Sequence, residues 1–152
     1  MPKGTRFEHP VSALDLFPTC IATSGGEVLV SWKLDGVNLL PFLKGESTDP
    51  PHEYLFWRLW RVAAIRKGDW KLIRVAENPL KPKRNLLLPL MLFNLKNDPG
   101  ETINLVEQYP DKAQELLLAL ERWEQSLVKP RWYDGSKWQH WQEVSVENHR
   151  MN

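Results

Sequence analysis

The side chains able to do chemistry are present in this chain, but few stand at spacings that would let them act together. Cys20 is the single cysteine. A reactive thiol needs a neighbouring cation, metal or helix N-terminus to lower its pKa, whereas Cys20 falls inside an apolar helical stretch and is expected as a small buried hydrophobe. With no second cysteine there is no internal disulfide. His140 and His149 are nine positions apart with Glu143 between them, in a polar tail. That is not the i, i+4 spacing that sets two imidazoles on one helix face, so no metal site is expected there. Lys67, Asp69 and Lys71 surround Gly68 and read as solvated residues of a hairpin turn. His52, Trp57 and Arg58 carry more weight, because their stretch is otherwise apolar and an arginine there needs an anionic partner. Glu53 and Glu101 are the partners that the sequence offers.

The elements that must position these residues belong to a chain of ordinary globular composition. Of 152 residues, 42% are hydrophobic and 26% charged, enough for one domain with a real core. Lys plus Arg number 20 against 19 Asp plus Glu, a net charge of +1. Such a balance supplies no field for a phosphate backbone, so nucleic acid is not an expected partner. No apolar run approaches the roughly 20 residues that span a bilayer, and no membrane is expected either. Met1 to Arg6 has no apolar stretch behind it, so a secretory signal is not expected and the compartment stays unknown. Eight tryptophans point to a well-packed core or an interface.

From Ser12 to Ser24 the chain reads as a short helix closed by Gly25-Gly26, starting near Asp15 so that Pro18 lies in its first turn. Asp35-Gly36, Gly45 and Pro50-Pro51 make residues 27–51 a connector. Aromatic and β-branched residues between His52 and Ala76 favour strands, with Lys67-Gly68-Asp69 breaking the run into a hairpin. Residues 77–85 read as a solvated loop, and Leu90 to Leu95 as a further strand that Pro89 limits to an edge or to a late start. Asp98-Pro99-Gly100-Glu101 suits a type II turn. The strongest periodicity follows Pro110: Ala113, Leu116, Leu117, Leu120, Trp123 and Leu127 line one helix face over 111–128. Asp111 with Gln114 makes a possible capping box, and Pro110 is an equally good first helical residue. This order predicts an α+β fold: a small antiparallel sheet of about four strands with one long amphipathic helix packed on it, preceded by a short helix and connector.

Several segments, in order, resemble the end of the formylglycine-dependent sulfatase family, within the alkaline-phosphatase-like superfamily. Val11-Ser12-Ala13-Leu14-Asp15-Leu16-Phe17-Pro18-Thr19 is similar to the family's late helix, and Leu34-Asp35-Gly36 through Pro41, with Gly45, to the link after it. His52 to Arg58 comes next. Ala63 through Leu72 resembles the tract that reads R-x-G-x-W-K. Leu92-Phe93-Asn94-Leu95 with Asp98-Pro99-Gly100-Glu101 and Asn104-Leu105 resembles L-Y-D-L-x-x-D-P-x-E-x-x-N-L. The likeness covers residues 1 to about 132.

The resemblance implies the carboxyl-terminal region of a sulfuric ester hydrolase. Residues 1–45 are then the helix and connector of the large sulfatase domain, 46–132 the carboxyl-terminal antiparallel subdomain and 133–152 a coil tail. The family's nucleophile lies in a Cys/Ser-x-Pro-x-Arg motif; after Cys20 the proline and arginine positions are held by Ala22 and Ser24. No catalytic residue is therefore assigned. The chain is expected to need no cofactor itself, calcium belonging to the full-length family enzyme, and to be inactive alone. Its implied partner is the missing amino-terminal sulfatase domain, with self-association possible through the apolar side of Leu14, Phe17 and Ile21. His52, Trp57 and Arg58 are candidates for the substrate-pocket rim, where Arg58 would meet an anionic group. Family members are often periplasmic or secreted. The alternative is a stand-alone tryptophan-rich module that binds carbohydrate or protein.

Overall fold

The computed structural model describes Gly4 and residues 6–59, 62–75 and 90–128. The loop read at 77–85, the His140, Glu143 and His149 group and the tail 133–152 lie outside these residues. The chain divides into two compact units, Met1–Leu55 and Phe56–Asn152.

In the first unit, a 3-10 turn at Ala13–Asp15 leads directly into α1, Leu16–Thr23. Ser12 and Asp15 form a reciprocal capping box around the turn. Pro18 occupies the first turn of α1, where a missing N–H costs nothing. The helix ends as its two glycines require: Gly25 lies at φ +80°, its N–H bonds to the Ala22 carbonyl, and the Gly26 N–H reaches Ile21 at 2.9 Å. Cys20 is exposed, which corrects the expectation of a buried thiol. The reason is helical phase: Asp15 and Pro18 face inward, and Cys20 is turned away from that side. The connector contains a 3-10 turn at Val30–Trp32 and a short helix, α2, at Leu40–Lys44. Leu39, just before α2, is buried.

The second unit is an α+β arrangement. Strands β1 (Leu55–Leu59), β2 (Val62–Lys67), β3 (Trp70–Val75) and β4 (Met91–Asn94) form a four-stranded sheet in sequence order. The pairs β2–β3 and β3–β4 are antiparallel. Lys67 pairs with Trp70, so the hairpin loop is Gly68-Asp69 alone, and β4 lies at an edge of the sheet and begins at Met91, in keeping with the edge or late start expected of Pro89. Helix α3 spans Pro110–Ser126 with Pro110 at its first position, and Tyr109 supplies no side-chain cap. Proline at the start therefore prevails over the Asp111 capping box.

The core follows from register. Ile65 pairs with Leu72 and Leu72 with Leu92, so the three share one face of the sheet, and all are 0% exposed. Leu116 and Leu120 of α3, also 0% exposed, belong to the layer on that face. The same side brings Trp123 onto Phe56, rings stacked at 4.7 Å and 6°, and Trp70 edge-on to Tyr109 at 5.0 Å. Trp70 is thus half-buried against a neighbour and not a deep core residue. Leu127 lies past the end of α3 and is exposed, so the helical face stops at Trp123, one residue short of the expected stripe.

Candidate functional site

His52 and Asp15 form the most enclosed polar group in the first unit. Asp15 has no exposed surface. Its carboxylate accepts from the Ser12 N–H at 2.7 Å, from the Val37 N–H at 2.9 Å and from His52 Nε2, which is 2.9 Å from each oxygen. Burial pushes the Asp15 carboxyl up, but the Ser12 and Val37 amides and then His52 outweigh it and hold it below the ordinary 3.8. Close approach makes this possible. A Cβ on Gly36 would lie 2.1 Å from the Leu14 carbonyl oxygen, so only glycine lets Val37 reach Asp15. Thr19 Oγ1 donates to the Asp15 carbonyl at 2.6 Å and accepts from the Leu39 N–H at 2.9 Å, which ties α1 to the approach of α2. His52 is therefore committed to a carboxylate of its own chain through Nε2.

Trp57 and Arg58 are consecutive on β1 and so point to opposite faces of the sheet. Trp57 is half exposed. Arg58 turns to the α3 side, where its Nε lies 3.6 Å from Glu124 Oε1. Its anionic partner is thus neither Glu53 nor Glu101, as the sequence had offered, but a residue 66 positions along on the helix. Arg74 holds the same carboxylate more closely, with Nη2 2.7 Å from Oε1 and 2.6 Å from Oε2. Glu124 is the centre of this group, and nothing in its sequence context distinguishes it from the other glutamates of α3. Glu101 instead pairs with Lys71 at 2.6 Å, and Glu115 with Lys67 and Lys112.

The segment Leu92 to Leu105 explains its own pattern without catalysis. Asp98 accepts from the Thr102 and Ile103 N–H groups at 2.8 and 2.9 Å and from Thr102 Oγ1 at 3.0 Å. The Ile103 amide is the largest cause of its lowered pKa, followed by burial, which opposes, and then Thr102. The reversal is not the expected type II turn: Glu101, at φ +55°, carries the left-handed conformation and Gly100 does not. Asn104 then imitates a strand. Its side chain accepts from the Leu92 N–H at 3.0 Å and donates to the Leu90 carbonyl at 3.2 Å, while the Leu105 N–H reaches the Leu92 carbonyl at 2.8 Å. These contacts satisfy the outer edge of β4.

Among the described residues, no group of three or more His, Cys, Asp or Glu side chains is placed to hold a metal ion. The described residues therefore offer no ligand set that fits a calcium ion. No described helix is long and apolar enough to cross a membrane.

No family model matches the chain. Individual relatives do. Bovine arylsulfatase A is 33% identical over 134 residues, covering 74% of this chain and 25% of that protein. Arylsulfatase K of Danio rerio is 28% identical over 122 residues, 74% of this chain and 22% of the relative. Mouse steryl-sulfatase is 27% identical over 140 residues, 78% and 22% respectively. Among solved structures, Ps i-CgsB in complex with k-i-k-neocarrahexaose superposes with a TM-score of 0.71 at 30% identity, over 95% of this chain and 31% of that one. BT4656, solved in complex with its substrate D-glucosamine-2-N,6-O-disulfate, gives 0.54 at 26% identity, over 73% and 23%. The chain spans about a quarter of the length of the sulfatases it matches. It is thus a stretch of sulfatase polypeptide, belonging to that family by sequence and by fold.

Proposed function

We propose that this chain is the carboxyl-terminal portion of a sulfuric ester hydrolase, which completes the fold of the enzyme and is not catalytic alone. The 33% identity to an arylsulfatase over 74% of the chain is the observation that carries this reading. Attack on a sulfate ester calls for an activated hydroxyl, a divalent cation and cationic donors acting together. In this reading the nucleophile and the calcium carboxylates belong to the larger remainder of the enzyme. Residues 1–45 are then part of the large domain, 46–132 the closing subdomain and 133–152 a tail.

The remainder of the enzyme is the proposed partner, with self-association the substitute when it is absent. Exposed apolar groups on and beside α1 support this. Leu14, Leu16 and Phe17 are all more than half exposed, and Trp32 packs its ring near Phe17 at 6.3 Å. Such a surface is normally covered.

A rim role for His52, Trp57 and Arg58 divides among different surroundings. His52 is held by Asp15, Arg58 shares Glu124 with Arg74, and Trp57 offers an exposed ring on the opposite side of β1. Trp57 is the best supported of the three as a wall for a sugar or aryl group. A stand-alone aromatic binding module is not favoured, since Trp70 and Trp123 spend a ring face or edge on Tyr109 and Phe56.

An aryl sulfate assay with calcium present tests the reading. The isolated chain is expected to give no turnover above a buffer blank. Turnover that survives repurification would overturn it.

A further inference from the structure

Asp15 is a fully buried carboxylate that the proposed chemistry does not use, and it joins three stretches remote in sequence. Ser12 at the start of the 3-10 turn, Val37 in the connector and His52 ahead of β1 all donate to it. The Thr19 hydroxyl extends the same group to Leu39. The Ser12, Val37 and His52 links run from a backbone amide or a ring nitrogen to the one anion, whereas the Thr19 link ends on the Asp15 main-chain carbonyl. Each bond to the anion is charge-assisted, and each is left without an acceptor of comparable strength if the anion is lost.

We propose that Asp15 and His52 form a latch: while Asp15 is ionised its carboxylate holds Val37 and His52 on the entrance to α1, and removing its charge frees the connector there without unfolding the sheet and α3. The ionisable group in contact with Asp15 is His52. Glu53 beside His52 and Asp35 close to Val37 are exposed, and neither acts on the carboxylate. Nε2 carries a proton in imidazolium and in one neutral tautomer alike, so His52 donates to the carboxylate in either form. The switchable member is therefore Asp15. Its lowered pKa sets the sign: the latch is closed above the ordinary carboxylate range and opens only as the pH falls through the depressed value.

Two amides report directly on the carboxylate, those of Ser12 and Val37. Amide hydrogen exchange on the full chain, expressed as protection relative to unstructured peptide, tests the latch in the parent and in Asp15→Asn and His52→Gln. Asp15→Asn keeps the shape and removes the charge. It should lower protection at Val37 at least tenfold while the amides of Leu72 and Leu116 stay within twofold, and His52→Gln, which retains a donor, should do less. Unchanged protection at Val37 in Asp15→Asn overturns the proposal. So does an equal loss at Leu72 and Leu116, or failure of the sheet and α3 to fold, since either makes Asp15 a general stability residue. In the parent, the Ser12 and Val37 amides should lose protection on acidification before those of Leu72, and simultaneous loss counts against the latch.

Discussion

Replacing Leu120 with alanine tests the architecture most sharply. Leu120 has no exposed surface, and it shares α3 with Leu116, which is equally buried, and with Trp123, stacked on Phe56. The substitution removes three carbons, for which transfer out of water is worth roughly 0.8 kcal/mol each, or about 2.4 kcal/mol together. The surrounding groups are held on a sheet and a helix and can collapse only in part, so a residual cavity adds a further term of about 1 kcal/mol at ~24 cal/mol per Å³. The expected loss is about 3–4 kcal/mol. With a urea dependence of about 1–3 kcal/mol per molar, the midpoint should move down by about 1–4 M. Leu127→Ala is the control, because Leu127 lies beyond the last helical residue and is 41% exposed; it should cost less than about 1 kcal/mol. A Leu120→Ala protein within about 0.5 kcal/mol of the parent, or a Leu127→Ala protein that loses as much, would refute the packing of α3 on β2 and β3.

Gly36→Ala should destabilise the first unit by about 1–3 kcal/mol, because its Cβ meets the Leu14 backbone at 2.1 Å and no side chain can move to relieve it; unchanged exchange at residues 12–19 would contradict this. The carboxyls of Asp15, Asp98 and Glu115 are all held below their ordinary values of 3.8, 3.8 and 4.5. Their stabilising effect is present above those values and lost as the pH falls, so urea midpoints should drop below about pH 4.5, and Asp98→Asn should flatten part of that slope. A midpoint unchanged down to pH 3.5 would contradict it. The exposed side of Leu14, Leu16 and Phe17 should drive concentration-dependent association of this chain in sedimentation velocity, relieved by Phe17→Glu. A parent chain that stays monomeric at high concentration would remove the case for a covered surface.

What the sequence determined by itself is largely local and periodic. The 3.6-residue repeat of Ala113, Leu116 and Leu120 marked α3, Gly25-Gly26 marked the end of α1, Gly68 marked the hairpin and Pro89 an edge or late-starting strand. Each depends on a preference carried by the residue and its near neighbours: helical phase, positive φ, a missing N–H. The order of motifs likewise marked the sulfatase family, because an ordered pattern survives where single residues are ambiguous. Tertiary structure decided the partners. Asp15 reads in the sequence only as the start of a helix, yet its partners Val37 and His52 lie 22 and 37 positions away. Arg58 had nearby glutamates to choose from and found Glu124, because β1 and α3 lie side by side and the strand's alternation turns it toward the helix. The exposure of Cys20 was set the same way, by which side of α1 the connector covers. Charge and hydrogen-bond capacity are properties of a residue, but which group answers them depends on distances that only the folded chain creates.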